Sequence, residues 1–212
     1  MKKIHHFIEG YNHFKRNYFE NPKCDLFEKL HSEGQSPKAI VIACSDSRVD
    51  PALLLNAAPG DLFVVRNVAN LVPPCEHDSA HHGTSAALEF AVCGLQVEHI
   101  IIMGHSQCGG IASLVTRSPA LTEHSFIGTW MELATPALKA IEGGQNDHLT
   151  LEQKGDLCAQ QALLFSLENL KTFPWIQERL ANNQLKLHAW FFNLKEGNLY
   201  RYDDTAKAFV IA

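Results

Sequence analysis

The chain has 212 residues, 46% of them apolar and 19% charged, with a formal net charge of −5. A chain of this length buries roughly 70% of its unfolded surface, so one domain spanning 1–212 is expected, with 1–33 as an N-terminal helical arm. The acidic balance gives no reason to expect a nucleic-acid partner, and no apolar run approaches the roughly 18 residues of a membrane span.

Ile4, Phe7, Ile8, Tyr11, Phe14 and Tyr18 recur at three- and four-residue spacing and predict an amphipathic helix, which Asn21-Pro22 ends. Its aromatic stripe is expected to cover core or a second subunit. The β-branched run from Lys38 to Ala43 predicts a buried strand. Pro51 to Asn56 reads as a short helix and Leu62 to Val65 as a second strand ending at Arg66-Asn67. Val72-Pro73-Pro74 opens a polar loop, and the small residues of Gly83 to Leu95 predict a helix buried on most sides. His99 to Met103 is a third strand, followed by a helix from Gly109-Gly110 to about Thr116. Residues 126–141 read as helical with a break at Pro136. Thr150 with Gln153 forms a capping box that starts a helix reaching about Thr172. Pro174 begins another, which Asn182-Asn183 stops. Lys186 to Phe192 is a strand that returns through Lys195–Asn198 as Leu199 to Tyr202. This alternation predicts an α/β fold: a mostly parallel central sheet flanked by helices, with a C-terminal hairpin.

Six cysteines are present: Cys24, Cys44, Cys75, Cys93, Cys108 and Cys158. The length, and a basic start (Met1-Lys2-Lys3) with no apolar stretch of signal-peptide length after it, lead us to expect free thiols in a reducing, cytoplasmic setting. Two of them stand out by position. Cys44, with Asp46 and Arg48, follows the first strand, and Cys108, with His105, follows the third. Ligands gather at the carboxyl ends of parallel strands. Two thiolates and an imidazole favour zinc among the common ions. The fourth position has two claimants. Asp46 could bind the metal and close the site, or Arg48 could hold Asp46 by a bidentate pair and leave the position to water, as in a catalytic zinc site. Zinc lowers the pKa of bound water towards ~7–9. Two thiolates offset the ion's charge, so a preference for mildly alkaline pH is expected.

Cys44-Ser45-Asp46-Ser47-Arg48 with His105-Ser106-Gln107-Cys108-Gly109-Gly110 resembles the β-class carbonic anhydrases. The resemblance extends to Gly34–Lys38, Phe63–Pro74 and Glu98–His105. It implies interconversion of carbon dioxide and bicarbonate by attack of zinc-bound hydroxide, with one Zn2+ per subunit held by Cys44, His105 and Cys108. It makes Asp46 and Arg48 the catalytic dyad, and Gln35 a hydrogen-bonding partner of bicarbonate. Phe63 and Val68 become the apolar wall of the substrate pocket, and Gly109 supplies a backbone N–H for an oxyanion. The family divides into an open type and a bicarbonate-regulated type that carries tryptophan three residues before the first cysteine. Here that residue is Val41, and Gln35 and Pro73-Pro74 also resemble the open type, so an open, unregulated site is expected. Arg66 matches an arginine found in both types. The loop from Cys75 to His82 departs from the open pattern, in which a tyrosine often precedes Gly-Thr; here His81-His82-Gly83-Thr84 stands. One of His77, His81 and His82 could pass protons to buffer. The resemblance further implies a homodimer or dimer of dimers, pairing through N-terminal helices and sheet edges.

Two other functions compete. A related heterocumulene such as carbon disulfide could be the substrate of the same chemistry. A non-catalytic protein could hold zinc with Cys44, Asp46, His105 and Cys108 together; Arg48, Gln35 and the apolar wall would then have no purpose. Cys75 and the neighbouring histidines could also form a second metal site, though incidental histidines in a polar loop are the simpler reading. Cys24, Cys93 and Cys158 read as ordinary thiols, and His31 and His188 as structural or surface residues.

Overall fold

A computed structural model describes residues 2–78, 80–119, 122 and 125–212. It divides into two units, residues 1–36 and residues 37–212. Among the described residues no helix is long and apolar enough to cross a membrane.

The first unit holds α1 (Lys2–Tyr18) and α2 (Leu26–Glu33). Phe27 of α2 is the anchor between them. Its ring meets Phe14 and Tyr18 edge-on at 5.4 and 5.5 Å and stacks on Phe19 at 4.8 Å. This half of the aromatic stripe is half-buried, whereas Ile4, Phe7, Ile8 and Tyr11 in the first turns are each more than half exposed. The sequence reading had no α2. The helix has eight residues, none fully buried, and no side-chain cap, so its place depends on those ring contacts rather than on local signals. Gly34 ends it at φ +78°, a conformation glycine adopts at no steric cost.

The second unit is a sheet with helices. Its strands are β1 (Ala39–Cys44), β2 (Leu62–Asn67), β3 (His99–His105), β4 (Lys186–Phe192), β5 (Leu199–Asp203) and β6 (Ala208–Ile211), in the order β2-β1-β3-β4-β5-β6. The first four are parallel, and β5 and β6 return antiparallel. β1 lies between β2 and β3 and is buried at every position. That double burial is why it reads as an unbroken apolar run rather than an alternating one. One face of the sheet, carrying Ile40, Ile42, Ile100, Ile102, Ala189 and Phe191, forms the main core with Leu88, Val92, Leu163 and Leu170. The other face carries Ala39, Val41, Ala43, Ile101 and Met103, packed with Leu54, Leu62 and Trp190.

The helices of this unit are α3 (Pro51–Leu54), α4 (Gly83–Glu89), α5 (Gly109–Val115), α6 (Phe126–Met131), α7 (Thr135–Ile141), α8 (Leu151–Leu170) and α9 (Pro174–Ala181). The helix expected over Gly83–Leu95 is α4 followed by a wider π turn, Phe90–Gly94. The break expected at Pro136 lies earlier, in a tight turn at Glu132–Ala134. Pro136 instead sits in the first turn of α7, where a missing N–H costs nothing. The Thr150–Gln153 capping box is present in both directions and starts α8. β6 is the other element absent from the sequence reading. It turns the expected hairpin into a three-strand meander, and the short apolar run Phe209-Val210-Ile211 after Asp203–Lys207 is the signal that could have found it.

Candidate functional site

Parallel strands end on a common side, and the register shows which residues end level. Cys44 pairs with Asn67 across β1 and β2, and His105 pairs with Phe192 across β3 and β4. Cys44 and His105 therefore close neighbouring strands, and the turn after β3 folds Cys108 back toward them. The donor atoms of Cys44, His105 and Cys108 lie within 4.8 Å of one another, and all three residues are buried. The two sulfurs are 3.9 Å apart. Zinc–sulfur bonds of about 2.3 Å at a tetrahedral angle would place two sulfurs about 3.8 Å apart. His105 Nδ1 donates to the Ser106 carbonyl at 2.8 Å, which leaves Nε2 with its lone pair free. Among the described residues that Nε2 is the one buried side-chain polar atom with no hydrogen-bond partner. A buried nitrogen without a partner is costly, and a metal ion between it and the two sulfurs removes the cost. The residues present thus fit a zinc ion.

The thiols behave as a pair. The hydrogen bond between the two sulfurs draws the Cys44 pKa well down. The Cys108 proton is then hard to lose beside that thiolate and inside the protein. A bound cation relieves the second ionisation, so metal uptake should release protons.

Asp46 stands beside the triad and is held by Arg48. The guanidinium donates from Nε to Oδ1 at 2.9 Å and from Nη2 to Oδ2 at 2.7 Å, and the Arg48 amide adds a third bond to Oδ1 at 2.9 Å. This bidentate clamp keeps the Asp46 carboxyl well below the usual carboxylate range. Asp46 Oδ2 lies 4.0 Å from His105 Nε2, so the carboxylate faces the donors while remaining on Arg48. Arg48 Nη2 also reaches the Gln107 carbonyl at 3.2 Å, tying the two loops together.

Arg66 holds the turn that carries Asp46. It donates from Nε to the Cys44 carbonyl at 2.9 Å, from Nη2 to the Asp46 carbonyl at 2.6 Å, and from Nη1 to the Asp50 carboxylate at 3.1 Å. Asp50 also caps α3 by accepting from the Leu53 amide. On the other side Asn67 bonds the amide and carbonyl of Leu71, closing the turn 67–71, in which Ala69 and Asn70 take positive φ of 61° and 49°. Val68, at the tip, presents its carbonyl to Trp130 Nε1 at 2.7 Å and its side chain to Gly110.

Not every expected residue meets at one place. Gly109, Asp46 and Arg48 lie on the segments that follow the triad's strands, and Val68 lies in the turn after the neighbouring β2. Phe63 lies apart from them. It pairs with Ile40, four residues before Cys44, which places it roughly 13 Å back along the sheet; its ring packs against Phe90 at 5.8 Å. Gln35 belongs to the first unit and is exposed. A cavity of about 1030 Å³ opens on Val68, Pro73, His81, His82, Thr84 and Trp130, so His81 and His82 face the same space as Val68. Four donors of the 75–82 loop form two pairs, Cys75 with His77 at 3.5 Å and Asp78 with His82 at 2.7 Å. Among the described residues they form no group of three metal donors. Sequence reasoning missed Asp156 and Glu152 of α8, which bond the Gln107 amide at 2.8 Å and the Gln107 side chain at 2.9 Å. Nothing local marks them, since they lie more than forty residues from the loop they hold.

The likeness to known proteins agrees with this geometry. The family model for carbonic anhydrase matches residues 39–199. A carbonic anhydrase of Synechocystis sp. is 37% identical over 203 residues, 96% of this chain and 72% of that protein. Beta carbonic anhydrase 3 of Arabidopsis thaliana is 37% identical over 209 residues, 96% of this chain and 79% of that protein. Among solved structures, the β-carbonic anhydrase CcaA superposes with a TM-score of 0.88 at 34% identity, covering 100% of this chain and 93% of that one. A structure described as one of two tetrameric β-carbonic anhydrases of Sordaria macrospora gives 0.74 at 30% identity, covering 95% and 97%. With a buried Cys-His-Cys triad at the carboxyl end of a mostly parallel sheet, and relatives alike over nearly its whole length, the chain belongs to the β-class carbonic anhydrases.

Proposed function

We propose that the protein catalyses the reversible hydration of carbon dioxide to bicarbonate and a proton, with one zinc ion per subunit at Cys44, His105 and Cys108. The observation that carries this reading is the pairing of a buried Cys-His-Cys triad, whose His105 Nε2 has no hydrogen-bond partner, with a carboxylate already clamped by a guanidinium. Zinc, when bound, supplies a Lewis acid that brings the ionisation of water towards neutral pH.

The chain's own residues supply the rest. Asp46, ionised and fixed by Arg48, acts as a hydrogen-bond acceptor that orients an O–H at the reacting centre; it does not donate a proton. The distance of 4.0 Å from Oδ2 to His105 Nε2 supports a role beside the metal rather than on it. Val68, pinned through its carbonyl by Trp130, offers an apolar wall suited to a substrate with no net dipole. The Gly109 amide at the start of α5 would hold an oxyanion, and Gln35 would bond bicarbonate. Phe63 would complete the wall only if a second subunit brought it to the site. The exposed stripe of α1 and the tetrameric relative support a homodimer or dimer of dimers. Val41 is buried in the sheet and all three Arg66 nitrogens are engaged in holding the 44–50 turn, which supports a site without a bicarbonate brake. Thiolate ligands suit a reducing compartment, and we place the protein in the cytoplasm.

Stopped-flow hydration of carbon dioxide by the zinc-loaded protein and its Asp46→Asn variant tests the reading. The wild type should exceed the buffer background, and the variant should fall by about 10²-fold, the low end for loss of a positioned acid–base group. A zinc-loaded wild type at background refutes it, and hydrolysis of carbon disulfide instead would assign the site to that substrate.

A further inference from the structure

One peptide unit behind the donor triad is hydrogen-bonded at both ends. Its carbonyl, from Ser106, accepts from His105 Nδ1 at 2.8 Å; its amide, from Gln107, donates to Asp156 Oδ1 at 2.8 Å. We infer that Asp156 is a positioning residue for the metal centre: through the Ser106–Gln107 peptide it fixes the tautomer of His105 and strengthens Nε2 as a donor. The inference rests on the zinc reading of the triad.

The physics is that of a polarised chain. An anion at the amide end of a peptide draws its N–H and leaves more negative charge on the carbonyl oxygen. That oxygen then binds the Nδ1–H more tightly, and the imidazole becomes a better base at its other nitrogen. Metal-bound histidines commonly have a carboxylate or a carbonyl on the second ring nitrogen. Here a carbonyl occupies that place and a carboxylate stands one peptide behind it.

Three further observations agree. Asp156 is half-buried on α8, its burial pushes its carboxyl above the ordinary value, and among the described residues no cation pairs with it. A partly desolvated carboxylate with one amide partner and no counter-charge is unfavourable by itself, and a divalent cation at the triad offsets it. Gln107 takes a left-handed φ of +55°, unusual outside glycine, and three of its polar groups are bound. Its amide meets Asp156, its side chain meets Glu152, and its carbonyl meets Arg48. Asp156 thus acts on the loop between the imidazole on one side and the Asp46–Arg48 pair on the other.

The test compares wild type, Asp156→Asn and Asp156→Ala for zinc affinity by chelator competition, and for the visible absorption of the cobalt-loaded protein. Melting of the metal-free forms reports folding. Loss of a carboxylate behind a metal ligand costs about 10- to 100-fold in affinity. Asp156→Ala should fall in that range. Asp156→Asn keeps an acceptor but not the charge, and should lose several-fold and shift the cobalt bands with unchanged apo melting. If both variants hold zinc within about twofold of wild type and keep its cobalt spectrum, the relay is refuted; should Asp156→Ala fail to fold, Asp156→Asn decides alone. The readouts do not depend on turnover. A wild type that binds zinc more tightly than Asp156→Asn but hydrates no carbon dioxide refutes the proposed reaction and leaves the relay standing. Hydration with unchanged affinity in Asp156→Asn does the reverse.

Discussion

Two adjacent glycines should respond in opposite ways to the same methyl group. A Cβ on Gly110 would lie 2.8 Å from Val68 Cγ1, 3.2 Å from Met131 Sδ and 3.4 Å from Ala69 Cβ. Carbon atoms in contact prefer about 3.5–4.0 Å, so Val68 must retreat by about 1 Å. Retreat is resisted. The Val68 carbonyl is held by Trp130, and Ala69 beside it is buried in a left-handed conformation. Overpacking of this kind costs about 1–3 kcal/mol, which for a chain of this size lowers Tm by roughly 2–12 °C. A Cβ on Gly109 meets nothing within 4 Å. Alanine there restricts the unfolded chain without a clash and should stabilise by about 0.4–1 kcal/mol. The assay is thermal melting of Gly110→Ala and Gly109→Ala at one protein concentration, since assembly shifts Tm by mass action. Carbon dioxide hydration is measured alongside. Gly110→Ala should also raise KM, because the residue displaced is the proposed wall, whereas Gly109→Ala keeps its amide and should keep its activity. Equal melting temperatures for the two variants would refute the close packing of Val68 on α5.

Alkylation should sort the thiols. In zinc-loaded protein Cys93, which is exposed, and the half-buried Cys24 and Cys75 should label with iodoacetamide at pH 8. Cys158 should stay unlabelled in native protein whether or not metal is present, because burial pushes its thiol up to about 12; Cys44 should gain label only after chelation, and labelling of Cys44 in loaded protein would contradict its place on the metal. The Asp46 carboxyl, held low by Arg48, contributes stability that is complete above the unfolded value near 3.9 and is lost as pH falls through the lower folded value. The advantage of metal-free wild type over Asp46→Asn in urea unfolding should therefore be flat from pH 8 to about 4 and shrink below it; an advantage that grows on acidification would refute the assigned sign.

What the sequence made legible follows from how local each cause is. β4 was found with its observed bounds, Lys186–Phe192, because Leu187, Ala189 and Phe191 alternate toward one core. Cys44 and His105 could be placed together because each sits at the end of an apolar run, and parallel strands bring such ends side by side. Arg48 and Asp46 are two residues apart, so their pairing was an open choice of the local chain. Nothing local distinguishes α2, whose position depends on one phenylalanine among aromatic rings. The distance of Phe63 from the triad was hidden for a different reason: a motif on one strand gives the residue but not the register, and the register with β1 sets it four residues back. Asp156 and Glu152 were invisible because a carboxylate on a helix is ordinary until a distant loop is seen to end on it.

The helix that carries these two carboxylates also keeps the site in shape. The site's parts come from three loops that follow three different strands, yet one helix touches two of these loops and the strand end beside the triad. Near its start α8 presents Glu152 and Asp156 to the Gln107 loop. Midway Leu163 lies so close over Gly104 that a Cβ there would come within 3.2 Å of it. At its end Ser166 and Asn169 bond the amide and carbonyl of Val72, and Thr172, just past the helix, accepts from the Cys75 amide. Residues 166, 169 and 172 are three apart, so one line along the helix holds the double-proline loop. The span from Asp156 to Leu170 is about 21 Å of rigid rise. The separation between the loop that carries Cys108 and the loop that follows Val68 is thereby set by a helix rather than by the loops themselves. A metal centre needs its donors placed to within a few tenths of an ångström, and loops alone do not give that placement. The capping box at Thr150, which fixes where α8 begins, is therefore part of the site's construction even though it touches no ligand.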